Sequence, residues 1–262
     1  MLLAECARQR CVLLAMYVTT LVFADHKVHS FIKIKNGQYT WPSTLEVQKE
    51  IHIVGDDNAR LVGKWHFNDR GVRPSTIKNC QLFLMGSDKA KDYSRLLYAT
   101  SGEVRLTDCA LLSPCSYAVW ATNKGCVSLA GCILAGNSDG TRKSNGCAVA
   151  MGRGTVNLVS CQMENSEEFS VMSDNDGVVC IVNSVLQATE VAVLTSDRGS
   201  VKCARCTMRL LSRGAFGHLK GDEGKILFKD SIVYGDMWAN GMPLRPGRIL
   251  TSNNEFLPPV II

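Results

Sequence analysis

Six segments of the chain open on a glycine and then place aliphatic residues at a common phase. They are GEVRLTDCAL at 102–111, GCVSLAGCIL at 125–134, GTVNLVSCQM at 154–163, GVVCIVNSVL at 177–186, GSVKCARCTM at 199–208 and GKILFKDSIV at 224–233. The glycines lie 23, 29, 23, 22 and 25 residues apart, which is one fixed unit with a six-residue insertion between Gly136 and Gly146. Self-similarity at a period of this length marks stacked repeats and restricts the fold before any local propensity is considered. Between the segments runs a second apolar stretch, YAVWA at 117–121, CAVAM at 147–151, FSVMS at 169–173 and VAVLT at 191–195. The unit reads as strand, tight turn, strand, loop.

The alternation Val104/Leu106, Val127/Leu129 and Val156/Leu158 has the period of a half-buried strand, and no i, i+3, i+4, i+7 stripe persists through the repeats. One such unit cannot close a core, whereas stacked copies pair strand on strand and bury a continuous column of Val, Leu and Ile. The expected fold is therefore all-β, a right-handed parallel β-helix solenoid of about eight or nine coils. With 46% hydrophobic residues among 262, the chain can build such a core. Lys and Arg number 29 against 24 Asp and Glu, with no charge run, which argues against a nucleic-acid surface.

The first coils are looser. STIKNCQL at 75–82 fits the unit through Ile77, Cys80 and Leu82, with Arg73 where the glycine would stand. Upstream, 31–63 predicts strands around 31–35, 45–47 and 51–54, punctuated by Asn36-Gly37, Pro42 and Gly55. The order strand, N-G-x-Y, Pro, strand, strand ending in Gly resembles the opening coil of the right-handed β-helix superfamily, which includes pectate-lyase-like enzymes and non-enzymatic repeat domains. It is most similar to the β-helix region of the eukaryotic β-helix F-box proteins. The resemblance covers about residues 31–255 and implies a scaffold rather than a reaction. No F-box-like helical segment or zinc-finger module accompanies it. On this reading 31–255 is the β-helix, 256–262 a C-terminal tail, and 1–30 a separate N-terminal segment.

That segment admits two readings. Arg8 and Arg10 followed by an apolar run to Ala24 suit a signal peptide, and Leu3, Ala7, Cys11, Leu14, Val18 and Leu21 suit one face of a capping helix. The apolar run is too short to span a bilayer well. No N-x-S/T sequon occurs, so the expected location is cytoplasmic, with secretion as the alternative.

Among the twelve cysteines, Cys203-Ala-Arg-Cys206 has the spacing of a redox dithiol or half a zinc site. The repeat explains it differently. Cys206 falls at the position of Cys80, Cys109, Cys132, Cys161, Ser184 and Ser231, while Cys203 replaces the inward residues Leu106, Leu129, Leu158 and Ile181. In the resembling family this turn carries a stacked asparagine ladder; here small thiols and hydroxyls fill it. Buried, free thiols and no metal or cofactor are expected, as in a reducing compartment.

Glycosidic chemistry needs a positioned acid or base. If Val119, Val149, Val171 and Val193 point inward, the outward neighbours are Ala118/Trp120, Ala148/Ala150, Ser170/Met172 and Ala192/Leu194, none of them charged. The nearest acids, Asp174, Asp176 and Asp197, fall in the following turns and form the alternative calcium or polysaccharide site. His218 in FGHLKG lacks the second glycine and the paired aspartates of pectin hydrolases and, following Phe216 in and Gly217 out, reads as an inward or turn histidine. Asp56-Asp57, TRKSNG at 141–146 and Gly-Arg-Gly at 152–154 are ordinary turns. The expected function is a non-enzymatic recognition or scaffold module whose protein or peptide partner meets Trp120, Met172 and Leu194, unless a tail or loops cover them. The alternative is a carbohydrate-active enzyme or polysaccharide binder.

Overall fold

The computed structural model describes residues 30–84, 95–114, 117–136, 146–166, 168–210, 215–220, 223–234 and 249–257. Residues 1–29, on which the reading of 1–30 as cap or signal falls, lie outside them, as do 137–145, which hold most of the insertion. Among the described residues there is no helix, and every strand pairing is parallel. The chain is a parallel β-solenoid of about eight turns.

Three walls enclose the core. The first is a ten-stranded sheet of Ser30–Ile34, Ile51–Gly55, Ser75–Lys78, Glu103–Thr107, Cys126–Ala130, Thr155–Val159, Val178–Val182, Ser200–Ala204, Lys225–Lys229 and Ile249–Ser252, in that order. The other two walls are wings of one 16-stranded sheet that diverge from the long strand Ala59–Asn68. The second wall carries the short strands from Gln81–Phe83 through Ile133–Ala135 to Glu255–Leu257. The third carries Arg95–Ser101, Tyr117–Thr122, Gly146–Met151, Phe169–Asp174, Val191–Ser196 and Ala215–Lys220. The alternating residues Val104/Leu106, Val127/Leu129, Val156/Leu158 and Val179/Ile181 are essentially inaccessible and stack in register.

Each corner has its own chemical solution. Where the first wall turns into the second, one residue per coil adopts a left-handed conformation: Asn79, Asp108, Gly131, Ser160, Asn183, Arg205, Asp230 and Asn253, with φ between 51° and 63°. Asn, Asp and Gly tolerate this region best, which explains most of the set. The next residue is the buried column of Cys80, Cys109, Cys132, Cys161, Ser184, Cys206 and Ser231. Each donates from Sγ or Oγ to the carbonyl two residues back, as Cys132 does to Ala130 at 3.4 Å and Ser184 to Val182 at 2.8 Å. The same carbonyl also accepts from the backbone amide of the left-handed residue one coil earlier, Ala130 from Asp108 at 3.0 Å, so the small donor occupies its second lone pair. Asn254 continues the column: its Nδ2 donates to the Phe228 carbonyl at 3.1 Å and its Oδ1 accepts from the Ser231 amide at 2.9 Å. Thus the column ends on an asparagine amide.

Where the third wall turns into the first, the repeat glycines stack. The amide after each glycine donates to the carbonyl of the glycine one coil earlier, from Cys126 to Gly102 at 2.8 Å through Lys225 to Gly199 at 2.9 Å. A Cβ on Gly125, Gly154, Gly177 or Gly199 would lie 2.2–2.3 Å from the carbonyl oxygen of Ala99, Ala121, Ala150 or Ser173. Backbone approaches backbone too closely for any side chain, which is the physical origin of the sequence signature.

In the first coil the structure differs from the expected short strand at 45–47. Gly37–Val47 is one strand of 11 residues containing Pro42, with a register shift between Thr40 and Thr44, and a further strand, Ala59–Asn68, follows Gly55. Among the described residues Gly37–Val47 pairs only with Ala59–Asn68, and Pro42 falls within the register shift, where no ladder partner is paired with it.

Candidate recognition surface

Along the third wall, register aligns one outward position per coil, His66, Tyr98, Trp120, Val149, Met172 and Leu194, and brings the backbone of His218 into the same register. None of the seven is Asp, Glu, Lys or Arg. Trp120, Met172 and Leu194 are brought together in this lane, as the sequence reading required. The phase of the neighbouring strand is reversed: Ala148 pairs with Val119 and Val171, so Ala148 and Ala150 belong to the core row, and Val149 joins the lane. The expectation that Ala118, Ser170 and Ala192 face outward is also overturned. With Cys147 they are at most 1% exposed. Ser170 Oγ donates to the Gln187 carbonyl at 3.1 Å, and Cys147 Sγ lies 3.0 Å from Ser166 Oγ. These small residues fill the corner between the second and third walls, a packing role that alternation alone does not reveal. Register likewise puts Gly217, not His218, beside Val193 in the core row.

The lane is partly roofed by its own neighbours. Trp120 is only 9% exposed. Tyr117 meets it edge-on with ring centroids 4.8 Å apart and stacks in turn on Phe169 at 6.0 Å. The Arg95 guanidinium lies 4.1 Å from the Trp120 centroid and 4.4 Å from that of Tyr98, an attraction between cation and ring face. Val149 is fully covered, while Tyr98, Met172 and Leu194 remain half-buried and pack against this cluster. At the N-terminal end His66 stacks on Tyr98 at 4.8 Å, with Nδ1 2.7 Å from Glu46 Oε2 and Nε2 3.0 Å from Thr100 Oγ1. Sequence reasoning missed Tyr98, Arg95 and Phe169; the arginine and tyrosine three residues apart at the start of a coil were the available signal.

The three aspartates of the alternative site diverge. Arg198 donates to both oxygens of Asp176 at 2.7 Å, Asp197 occupies a left-handed turn position, and Asp174 ends its strand at 7% exposure. Among the described residues, no group of three or more His, Cys, Asp or Glu is placed to hold a metal ion. The nine described cysteines are free. Burial pushes the Cys80 thiol up to about 12, and Cys132, beside the Cys109 and Cys161 thiols, is likewise pushed up to about 12. Cys203 stacks between Ile181 and Phe228 in the core row, and burial raises its pKa well above the ordinary value. These groups are neutral thiols at physiological pH and poor nucleophiles.

No protein-family model, curated protein or solved structure matches the chain. Among the described residues, no helix is long and apolar enough to cross a membrane.

Proposed function

We propose that the protein is a non-enzymatic recognition scaffold that binds a protein or peptide partner along the third wall. The observation carrying this reading is the lane itself: in-register positions on a rigid wall, uncharged through their middle, with Tyr98, Met172 and Leu194 half-buried rather than sealed. Rigid backbone with aromatic and Met anchors suits binding at low ordering cost. Trp120 supports the surface from beneath, and Met172 and Leu194 are the groups a partner would meet first. We further assign the chain to the right-handed, pectin-lyase-like β-helices, nearest the repeat region of the β-helix F-box proteins. Supporting this are the three-walled parallel coils and the corner column that ends on Asn254. The buried free thiols favour a reducing, cytoplasmic location.

The polysaccharide alternative stands second because Asp176 is engaged by Arg198. Selecting displayed random peptides against the wild-type chain and against Met172→Glu/Leu194→Glu tests the first reading. Peptides lost with the double substitution are expected. Enrichment indifferent to it, or cleavage of polygalacturonate by the wild-type protein, would overturn the proposal.

A further inference from the structure

Asp174 stands beside the lane with an unmet hydrogen-bonding need. It follows Met172 by two residues and so lies on the same side of the strand Phe169–Asp174, while Ser173 between them faces the core at 0% exposure. Its Oδ2 accepts from Asn175 Nδ2 at 3.1 Å, whereas Oδ1 is buried without a hydrogen-bond partner. Among the described residues, no Lys, Arg or His pairs with this carboxylate. Buried polar groups are nearly always satisfied, and a carboxylate left short of a donor is costly enough to require an explanation. No fold requirement supplies one, since the same position one coil earlier holds Met151.

We infer that the partner is a basic–apolar peptide segment, with an aliphatic side chain seated on Met172 and Leu194 and an adjacent Lys or Arg delivering its cation to Asp174 Oδ1. This inference rests on the reading of the lane as a recognition surface. Charge complementarity selects the occupant: the Asp174 carboxylate, two residues past Met172 and without a cationic partner among the described residues, calls for a cation, and an acidic segment would face an uncompensated like charge. Met151, in register beside Asp174 and half-buried, is unbranched and flexible, the type of side chain that repacks around an arriving group.

The experiment selects displayed random peptides against the full wild-type chain, Asp174→Asn and Met172→Glu/Leu194→Glu, each first checked for its β-sheet circular dichroism and melting. Wild type should enrich aliphatic peptides carrying Lys or Arg at a fixed offset. Asp174→Asn should enrich aliphatic peptides without that basic position. For a selected peptide, replacing its Lys by norleucine should weaken binding to wild type at least about tenfold and to Asp174→Asn less than about twofold. Aliphatic enrichment with no basic preference, or equal loss on both proteins, overturns this inference while leaving the lane intact. No dependence on Met172 and Leu194 overturns the underlying reading instead. If Asp174→Asn fails to fold, the lysine-to-norleucine comparison on wild type decides alone, equal affinities overturning the inference. Binding of calcium, or of an oligogalacturonide in place of peptide, also overturns it.

Discussion

The first and third walls have equally apolar inner rows, and outer rows that differ through the middle of the solenoid. On the first wall the outward row runs through Phe31, His52, Thr76, Arg105, Ser128, Asn157, Cys180, Lys202, Leu227 and Leu250, polar from His52 to Lys202 apart from Cys180, and neighbouring coils in that stretch join by hydrogen bonds. His52 Nδ1 lies 2.9 Å from Thr76 Oγ1, Ser128 donates to Glu103 at 3.1 Å, and Asn157 donates to Ser128 at 3.2 Å. Arg105 grips Glu103 and holds its carboxyl below the usual carboxylate range. On the third wall the equivalent row is aromatic and aliphatic. Parallel coils therefore stack well with a polar exterior, so the apolar lane is not a requirement of the fold. That contrast is the reason for assigning it a partner.

The comparison holds that inner positions set stability and outer ones do not, and the largest expected effect tests this on one coil. Cys132→Asp places an unpartnered charge in the column and should cost about 3–5 kcal/mol, whereas Ala130→Asp, exposed two residues away, should change stability by about 0.5 kcal/mol or less. Urea unfolding of both variants measures the difference, and similar midpoints would mean that the column is not buried as described.

The glycine corner sharpens the same point. Gly177→Ala drives a Cβ to 2.2 Å from the Ala150 carbonyl oxygen, whereas Gly152→Ala meets nothing nearer than 3.5 Å and is strained only by its φ of 53°. Losses of about 2–3 kcal/mol and about 1 kcal/mol are expected, in that order. A reversed order in thermal melts would show that left-handed strain, not backbone crowding, selects these glycines.

The column also makes a pH prediction. With the folded pKa of Cys80 and Cys132 raised to about 12 from the ordinary value of 9.0, the unfolded chain ionises first as pH climbs and then binds fewer protons than the folded one. Stability is therefore fully present below pH 9 and falls between about pH 9 and 12, by about 1.4 kcal/mol per pH unit for each such thiol once the unfolded form is ionised. Cys80→Ser, which installs the group already used at 184 and 231, should flatten the slope in unfolding series at pH 8, 9 and 10. An unchanged slope would assign the alkaline loss to other groups.

The smallest stability effect belongs to the outer lane. Met172→Glu/Leu194→Glu should change stability by about 1 kcal/mol or less while removing peptide binding, and Trp120→Asp, beneath Tyr117 and Arg95, should cost more than that pair. Calorimetric melts rank the two; a Trp120→Asp variant as stable as wild type would mean that the roof over the lane contributes nothing.

The sequence alone determined the coils, the inward Val and Leu rows, the thiol column and the stacked glycines. In a parallel solenoid, equal positions in successive repeats come to lie one above another, so an alignment of the repeats is already a contact map. It did not determine the phase of Gly146–Met151. CAVAM and YAVWA contain no polar residue to mark which side faces water, and a one-residue shift exchanges inside for outside without changing the pattern. Only the tertiary structure settled that shift. It alone also placed Arg95 over Trp120, Glu46 and Thr100 on either side of His66, and Asp174 beside the lane with one oxygen unanswered. The first three relations join side chains on neighbouring coils of one wall, where contact depends on register and rotamer rather than on spacing along the chain, and the last depends on what surrounds a single carboxylate.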